Sequence, residues 1–164
     1  MSSIRASMEG ELPELVDKLS RLSSIDKTGL NNAIAEALRS GTIDRFEQEK
    51  SPDGVAWKKS IRASAEGGLT LTMTSQLKGS INARATEEGA EVGTNLVYAA
   101  THQYGASGRT IRAKNKPNLM FQFKGRWIRK KQVTVNIPAR PFIGISDEDR
   151  EEIRSLTEEA LEEA

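Results

Sequence analysis

Residues 27–50 carry the longest helical periodicity in the chain, and this pattern most constrains what the chain can fold into. Leu30, Ile34, Leu38 and Phe46 recur near one face of the predicted helix. Apolar residues at this spacing are typical of a helix that packs one side against a core. The sequence therefore predicts a long helix in the N-terminal half that lies across another layer of structure.

Signals at both ends and in the middle define this helix further. Ser24 or Asp26 can supply the N-cap. "SPDG" at 51–54 predicts a tight turn, because proline fixes φ, aspartate bonds its own backbone and glycine accepts a positive φ. Gly41 weakens the helix by about 1 kcal/mol relative to alanine. We therefore expect a bend at Gly41 or another backbone packed closely against it.

The rest of the chain alternates short strand and helix patterns. Residues 10–22, 74–81, 95–105 and 147–164 read as helices, with Gly105 ending the third and Asp147 capping the last. Period-two alternation and turn residues predict strands. The predicted strand segments are 69–73, the hairpin 81–86 and 90–94, the hairpin 118–123 and 126–129, and 133–137.

These elements predict an α+β fold with a small antiparallel sheet packed by the 27–50 helix. The length predicts a single domain, 1–164. Within it we expect an N-terminal helical segment (1–25), a basic hairpin or loop extension (105–131) and an acidic C-terminal helix (147–164). Only 37% of residues are hydrophobic and 5% aromatic. The core is therefore expected to be lean, or shared with neighbouring subunits.

The chain has no cysteine, which excludes disulfides and suits a reducing cytoplasm. Its N-terminus lacks the apolar region of a secretory signal. No apolar run approaches the ~18 residues of a membrane span, so we expect no membrane partner.

Charge is distributed in blocks along the chain. Residues 1–91 carry net −2, residues 92–146 net +10 without any acidic side chain, and residues 147–164 net −7. Such blocks bear on partners and association rather than on fold. Contact between the +10 and −7 surfaces of neighbouring copies would suit a closed ring.

The motifs of known catalytic sites are missing from the sequence. His102 is the single histidine, and there is no cysteine to pair with it. The sequence contains no dinucleotide-binding glycine motif, no phosphate-binding loop and no serine-nucleophile motif. We therefore expect no enzyme activity, no metal and no cofactor, with His102 in a structural role near a helix end. A small enzyme built around His102 is the least favoured alternative.

The segment 105–131 interleaves basic residues with Met120, Phe121, Phe123 and Trp127. This mixture is typical of nucleic-acid binding. It also suits a protein partner, including the acidic C-terminal helix, or an edge that resists aggregation. The basic residues are Arg109, Arg112, Lys114, Lys116, Lys124, Arg126, Arg129, Lys130 and Lys131.

"IPARPF" at 137–142 raises a separate question about its arginine. Pro138 ends strand pairing because proline has no N–H, and Pro141 biases Arg140 away from helix. The guanidinium is thus held for a fixed partner, a carboxylate or backbone carbonyls. We expect that partner on the last helix or across a subunit boundary. Arg140→Ala should then leave the monomer folded yet impair assembly.

Four stretches in a fixed order carry a resemblance to a known family. They are "DRFEQEKSPDGVAWKKS" at 44–60, "LTMTSQLKGSI" at 71–81, "VGTNLVYAATHQYG" at 92–105 and "IPARPFIGIS" at 137–146. Over about 27–160 the chain resembles the phage virion morphogenesis family, the tail-completion proteins of Mu-like and related tailed phages.

The resemblance implies a structural protein of the virion neck, where the finished tail is capped and joined to the head. It implies self-association, commonly into a ring of six subunits, assembly in the host cytoplasm, and contacts with neck, connector, and tail-tube or sheath proteins. DNA in the channel is a further expected contact. The positions that match the family, with implied structural or assembly roles, are Phe46, Gly54, Trp57, Leu77, Gly93, Tyr98, His102, Gly105, Pro138, Arg140, Pro141, Phe142 and Gly144.

Two alternatives to the neck-ring hypothesis stay open. A nucleic-acid-binding module using 109–131 predicts salt-dependent binding to DNA. The enzyme hypothesis predicts that replacing His102 with glutamine abolishes biological activity.

Overall fold

The protein has an α+β fold built from short elements around one long helix. The computed structural model describes residues 16, 17, 20, 23–123 and 125–163, so most of the expected segment 1–25 lies outside the described residues. The helices are α1 Lys27–Gln48, α2 Ile61–Glu66, α3 Gln76–Gly79, α4 Ala99–Tyr104 and α5 Asp147–Glu162. The strands are β1 Asn82–Thr86, β2 Gly89–Gly93, β3 Ala106–Arg112, β4 Leu119–Phe123, β5 Arg126–Lys130 and β6 Gln132–Ile137.

Helix α1 confirms the long N-terminal-half helix. Its N-cap is Asp26, whose side chain accepts a hydrogen bond from the N–H of Gly29 at 3.0 Å. The helix runs through Gly41 and ends at Glu49, which adopts a left-handed conformation with φ 55°. The predicted turn follows, with the N–H of Gly54 donating to the carbonyl of Ser51 at 2.9 Å.

The strands form three two-stranded antiparallel ribbons instead of one small sheet. The ribbon β1–β2 is the predicted hairpin, and it packs on α1. Asn31 of the helix donates its side-chain N–H to the Thr86 carbonyl at 2.8 Å, and Arg39 donates to the Ile81 carbonyl at 3.0 Å. Side chains of α1 therefore complete the hydrogen bonding at both ends of this ribbon.

The other two ribbons are nested in sequence and form a β arm, residues 106–137. β3 pairs with β6 at the base, and β4 pairs with β5 at the tip. Between them the N–H of Ala113 donates to the Lys131 carbonyl at 3.1 Å. No described residue of the arm is buried. The tip hairpin and β6 were predicted, whereas β3 was not.

Two local predictions are wrong. Residues 69–73 form turns instead of a strand: Leu71 has φ 65°, and the N–H of buried Thr70 donates to the Glu49 side chain at 2.7 Å.

The N-cap of α5 is Ser146, and not Asp147 as the sequence predicted. The Ser146 side chain accepts from the N–H of Asp149, and the Asp149 carboxylate accepts from the N–H of Ser146 at 2.7 Å. This reciprocal pair is a capping box, with Asp in the place of the usual Glu.

The hydrophobic core is small, as the composition predicted. Its cluster of buried residues consists of Phe46, Trp57, Leu77, Ile81, Ala99 and Phe142. Within the part of the chain that the structure describes, no helix has the length and apolar character needed to cross a membrane.

Candidate functional site: a buried motif and an exposed basic arm

Three aromatic residues of the family-like motifs meet at the centre of the core. Phe46 of α1 contacts Trp57 edge-to-face, with ring centroids 5.6 Å apart, and contacts Phe142 at 5.1 Å. The indole N–H of Trp57 donates to the Pro141 carbonyl at 2.9 Å. The three segments 44–60, 71–81 and 137–146 are therefore joined in one cluster, which also contains Leu77. Trp57 is therefore anchored in the core.

Arg140 has a fixed partner within its own chain. Its Nε donates to the Lys58 carbonyl at 2.8 Å, and its backbone N–H donates to the His102 carbonyl at 2.7 Å. The residue is 5% exposed. The partner is of an expected kind, a backbone carbonyl, but it lies in the segment before α2 of the same chain, and neither on the last helix nor across a subunit boundary. Arg140 also acts on the Glu49 carboxyl by its charge. The pKa of Glu49 is held below its ordinary value, first by hydrogen bonding from Thr70 and then by the charges of Lys59 and Arg140.

Gln103 holds the backbone that follows Pro141, and sequence reasoning did not identify this residue. Its Oε1 accepts from the N–H groups of Phe142 and Ile143 at 3.0 and 3.1 Å. Its Nε2 donates to the Ile143 carbonyl at 2.7 Å. Three hydrogen bonds from one amide thus tie α4 to the motif 137–146. The only sequence signal was its place in the family-like stretch "ATHQYG".

Arg45 joins the same motif to the start of α5, and sequence reasoning did not identify it either. Its guanidinium pairs with the Asp149 carboxylate, and both side chains are about as buried as the core, at 7% and 6% exposure. It also donates to the carbonyls of Phe142 at 3.3 Å and Gly144 at 3.1 Å. Gly41 faces the Asp149 carboxylate so closely that a Cβ would overlap it. The close neighbour of Gly41 is therefore a side chain of α5, and not the backbone expected from the sequence.

Two motif glycines are required by close approach. Gly105 has φ 75°, and a Cβ there would lie 2.8 Å from the backbone of Ala139 and Ile137. At Gly144 a Cβ would lie 2.6 Å from the ring of Pro52 in the "SPDG" turn. A side chain at either position would collide with these atoms, which glycine avoids. Nothing in the structure explains why Gly93 must be glycine.

His102 is half-buried and contacts Tyr98 edge-to-face at 6.1 Å. Among the described residues its Nδ1 is the one buried side-chain nitrogen or oxygen without a hydrogen bond. Burial, followed by the charges of Arg140 and Arg109, lowers the pKa of His102 below its ordinary value of 6.5. The described residues contain no cluster of three side chains suited to hold a metal ion.

The basic residues predicted to contact a partner occupy the arm and are exposed, except that Lys124 lies outside the described residues. The Arg109 guanidinium donates a hydrogen bond to the Thr101 hydroxyl of α4.

Strand register separates the tip of the arm into two faces. Gln122 pairs with Trp127 and Met120 with Arg129, so these four share one face, while Phe121 and Ile128 share the other. Trp127 is 70% exposed and Met120 57% exposed.

Comparison with known proteins agrees with this arrangement of motifs. A model of the phage virion morphogenesis family matches residues 9–162. "Mu-like prophage FluMu G protein 2" of Haemophilus influenzae is 30% identical over 142 residues, which cover 85% of this chain and 83% of that protein. No solved structure matches the chain. Since the matched range includes every segment that converges on the buried motif, the chain belongs to the phage virion morphogenesis family.

Proposed function

We propose that this structural virion protein completes the tail of a tailed phage and joins it to the head, as a subunit of a ring at the neck. Family membership supports a structural role in virion morphogenesis. The named relative is a protein of a Mu-like prophage. The neck position and the ring are our extension of these findings.

The observation that carries the proposal is the arm, residues 106–137. None of the described residues of this arm is buried. The arm also presents the side chains of Trp127 and Met120 to solvent. Isolated two-stranded ribbons are marginally stable in water, so an arm of this kind is typical of a segment completed by a partner. Exposed apolar side chains rimmed by charge mark protein–protein contact surfaces.

Electron microscopy of a lysate from a phage that lacks this gene tests the proposal. We expect full heads beside separate tails, some of abnormal length, and rescue by the wild-type gene supplied in trans. Normal joined virions in that lysate would refute the role at the neck.

A second function is supported by the charge of the arm. Its eight described basic residues are all exposed, which suits weak, non-specific contact with DNA in a channel. The affinity of the purified protein for duplex DNA should then fall steeply with salt. Reversing two arm charges should reduce the slope of log K against log salt by about 0.9 for each phosphate that the variant no longer neutralises. A flat salt dependence would exclude this function.

We propose in addition that the protein has no catalytic centre. Membership in the phage virion morphogenesis family, a structural family, supports this proposal. His102→Gln should therefore support normal particle yield in complementation. A loss of yield with a folded variant would reopen the enzyme hypothesis.

A further inference from the structure

An apolar groove with an acidic rim lies between the start of α1 and the end of α5. Its volume is about 410 Å³. Leu30 and Ala33 line one side, and Leu156 and Ala160 line the other. The charged residues that line it are all acidic: Asp26, Glu159 and Glu163.

The tip of the arm presents a surface of opposite character. Trp127 and Met120 project from one face of the hairpin, together with Arg129. Arg126 and Lys130 pair with Phe123 and Leu119 and therefore lie on the opposite face of the hairpin. The Trp127 face thus combines two exposed apolar side chains with the positive charge of Arg129, whereas the groove combines an apolar floor with an acidic rim.

We propose that the arm tip of one copy docks in the α1–α5 groove of a neighbouring copy, with Trp127 on the apolar floor and Arg129, on the same face of the hairpin, against the acidic rim. Tryptophan and arginine are the side chains that most often dominate interface energies when they fill a pocket. Opposite charge across the rim fixes partner and orientation. The proposal names the subunit contact of the neck ring, and in that respect it rests on the proposed function.

The contact is heterologous, because the two surfaces lie on different parts of the chain. Heterologous contacts close into rings when the rotation between copies permits it. Each copy would contribute its tip to one neighbour and its groove to the other. The contact would also bury the apolar side chains that the arm leaves exposed.

Charge reversal tests the contact with matched variants. Arg129→Glu reverses the charge on the docking face of the tip, and Glu159→Lys with Glu163→Lys reverses the groove; all three side chains are exposed. Added lysines near a helix C-terminus also favour the helix dipole, so folding is preserved. In a phage that lacks the gene, each variant alone should lower particle yield at least tenfold. Co-expression of both should restore the yield, since each reversed tip meets a reversed groove.

Cysteine cross-linking locates the contact directly, because the chain has no native cysteine. Gln122→Cys with Ala33→Cys should give a ladder of covalent oligomers on oxidation in particle-producing cells, whereas Gln122→Cys with Glu91→Cys should not. No ladder together with unaffected yields would overturn the docking while leaving the neck role to the gene-deletion experiment. If reversing only the tip lowers yield and DNA binding, and co-expression gives no rescue, the occupant of the tip surface is nucleic acid and the proposal fails.

Discussion

Two buried arginines fix the family-like motif, and their partners differ in kind. Arg140 donates to one backbone carbonyl and lies near the Glu49 carboxylate. Arg45 pairs directly with Asp149 and donates to two carbonyls of the segment 142–144. Burying a charge is costly unless hydrogen bonds satisfy it, so each arginine is tied to its local geometry.

Because the partner of Arg140 is internal, we expect Arg140→Ala to destabilise the monomer, contrary to the expectation from sequence alone. The change removes the hydrogen bond from Nε to the Lys58 carbonyl, together with the packing of a side chain that belongs to a residue only 5% exposed. It should lower the free energy of unfolding by about 2 kcal/mol, measured by urea denaturation. Arg39→Ala is the matched control, since Arg39 also donates to a carbonyl but is 40% exposed; it should cost under ~1 kcal/mol. Equal losses in the two variants would contradict the internal role.

The single histidine gives the protein a defined pH response. The folded-state pKa of His102 is lowered, so between that pKa and 6.5 the unfolded chain binds more protons than the folded one. Above pH 6.5 His102 is neutral in both states, and its contribution to the free energy of unfolding is complete. That contribution is lost as pH falls through the folded-state pKa, because protonating the buried imidazole is costly. We therefore expect the free energy of unfolding to rise with pH across this window.

An NMR titration of the imidazole should give a pKa below 6.5 in the folded protein. In His102→Gln, urea denaturation should show a flatter pH dependence between about pH 5 and pH 7, where an unperturbed histidine titrates. An unchanged slope in the variant would assign the response to other groups.

At the scale of elements, the junction of α1 and α5 depends on a glycine inside a helix. Gly41→Ala normally stabilises a helix by up to about 1 kcal/mol. Here the new methyl group would overlap the Asp149 carboxylate, which is held by Arg45 and by the capping box. We expect a net loss of about 1–3 kcal/mol in the free energy of unfolding.

A double-mutant cycle separates the two effects of Gly41→Ala. In an Asp149→Ala background the overlap is gone, so the same change should be neutral or stabilising by up to about 1 kcal/mol. Destabilisation of similar size in both backgrounds would show that the close approach to Asp149 is not the cause.

Elements with their own periodicity were predictable, and those made by distant partners were not. The alternation and the "KG" turn fixed the tip hairpin, whereas β3, "ASGRTIR", lacks an apolar period and is ordered by pairing with β6. "LTLTM" alternates like a strand, yet the N–H of Thr70 donates to the Glu49 carboxylate and the segment forms turns.

Long-range side-chain pairs could not be predicted from local patterns. Arg45 and Asp149, for example, are 104 positions apart. The basic segment was recognised, but the acidic groove was not, because α1 and α5 form it together.

At the scale of the whole molecule, the protein divides its work between a small core and an exposed arm. The buried residues of the core cluster lie outside the arm, and no described residue of the arm is buried. The +10 charge of residues 92–146 is carried almost entirely by the arm, while the −7 charge of residues 147–164 lies on and around α5. The buried core cluster and the exposed positive charge therefore lie in separate parts of the chain.

This division predicts that the arm opens independently of the core in the isolated protein. Arm amides should exchange hydrogen much faster than those of β1–β2, which packs on α1, because few buried contacts oppose local opening of the arm. Replacing residues 119–130 with a short Gly/Ser turn should change the free energy of unfolding by no more than about 1 kcal/mol while abolishing rescue of a phage that lacks the gene. In assembled particles the wild-type arm should gain protection, measured by hydrogen exchange with mass spectrometry. A large loss of core stability on removing the tip, or equal exchange in the free and assembled protein, would show that the arm belongs to the fold of the monomer and not to its contacts.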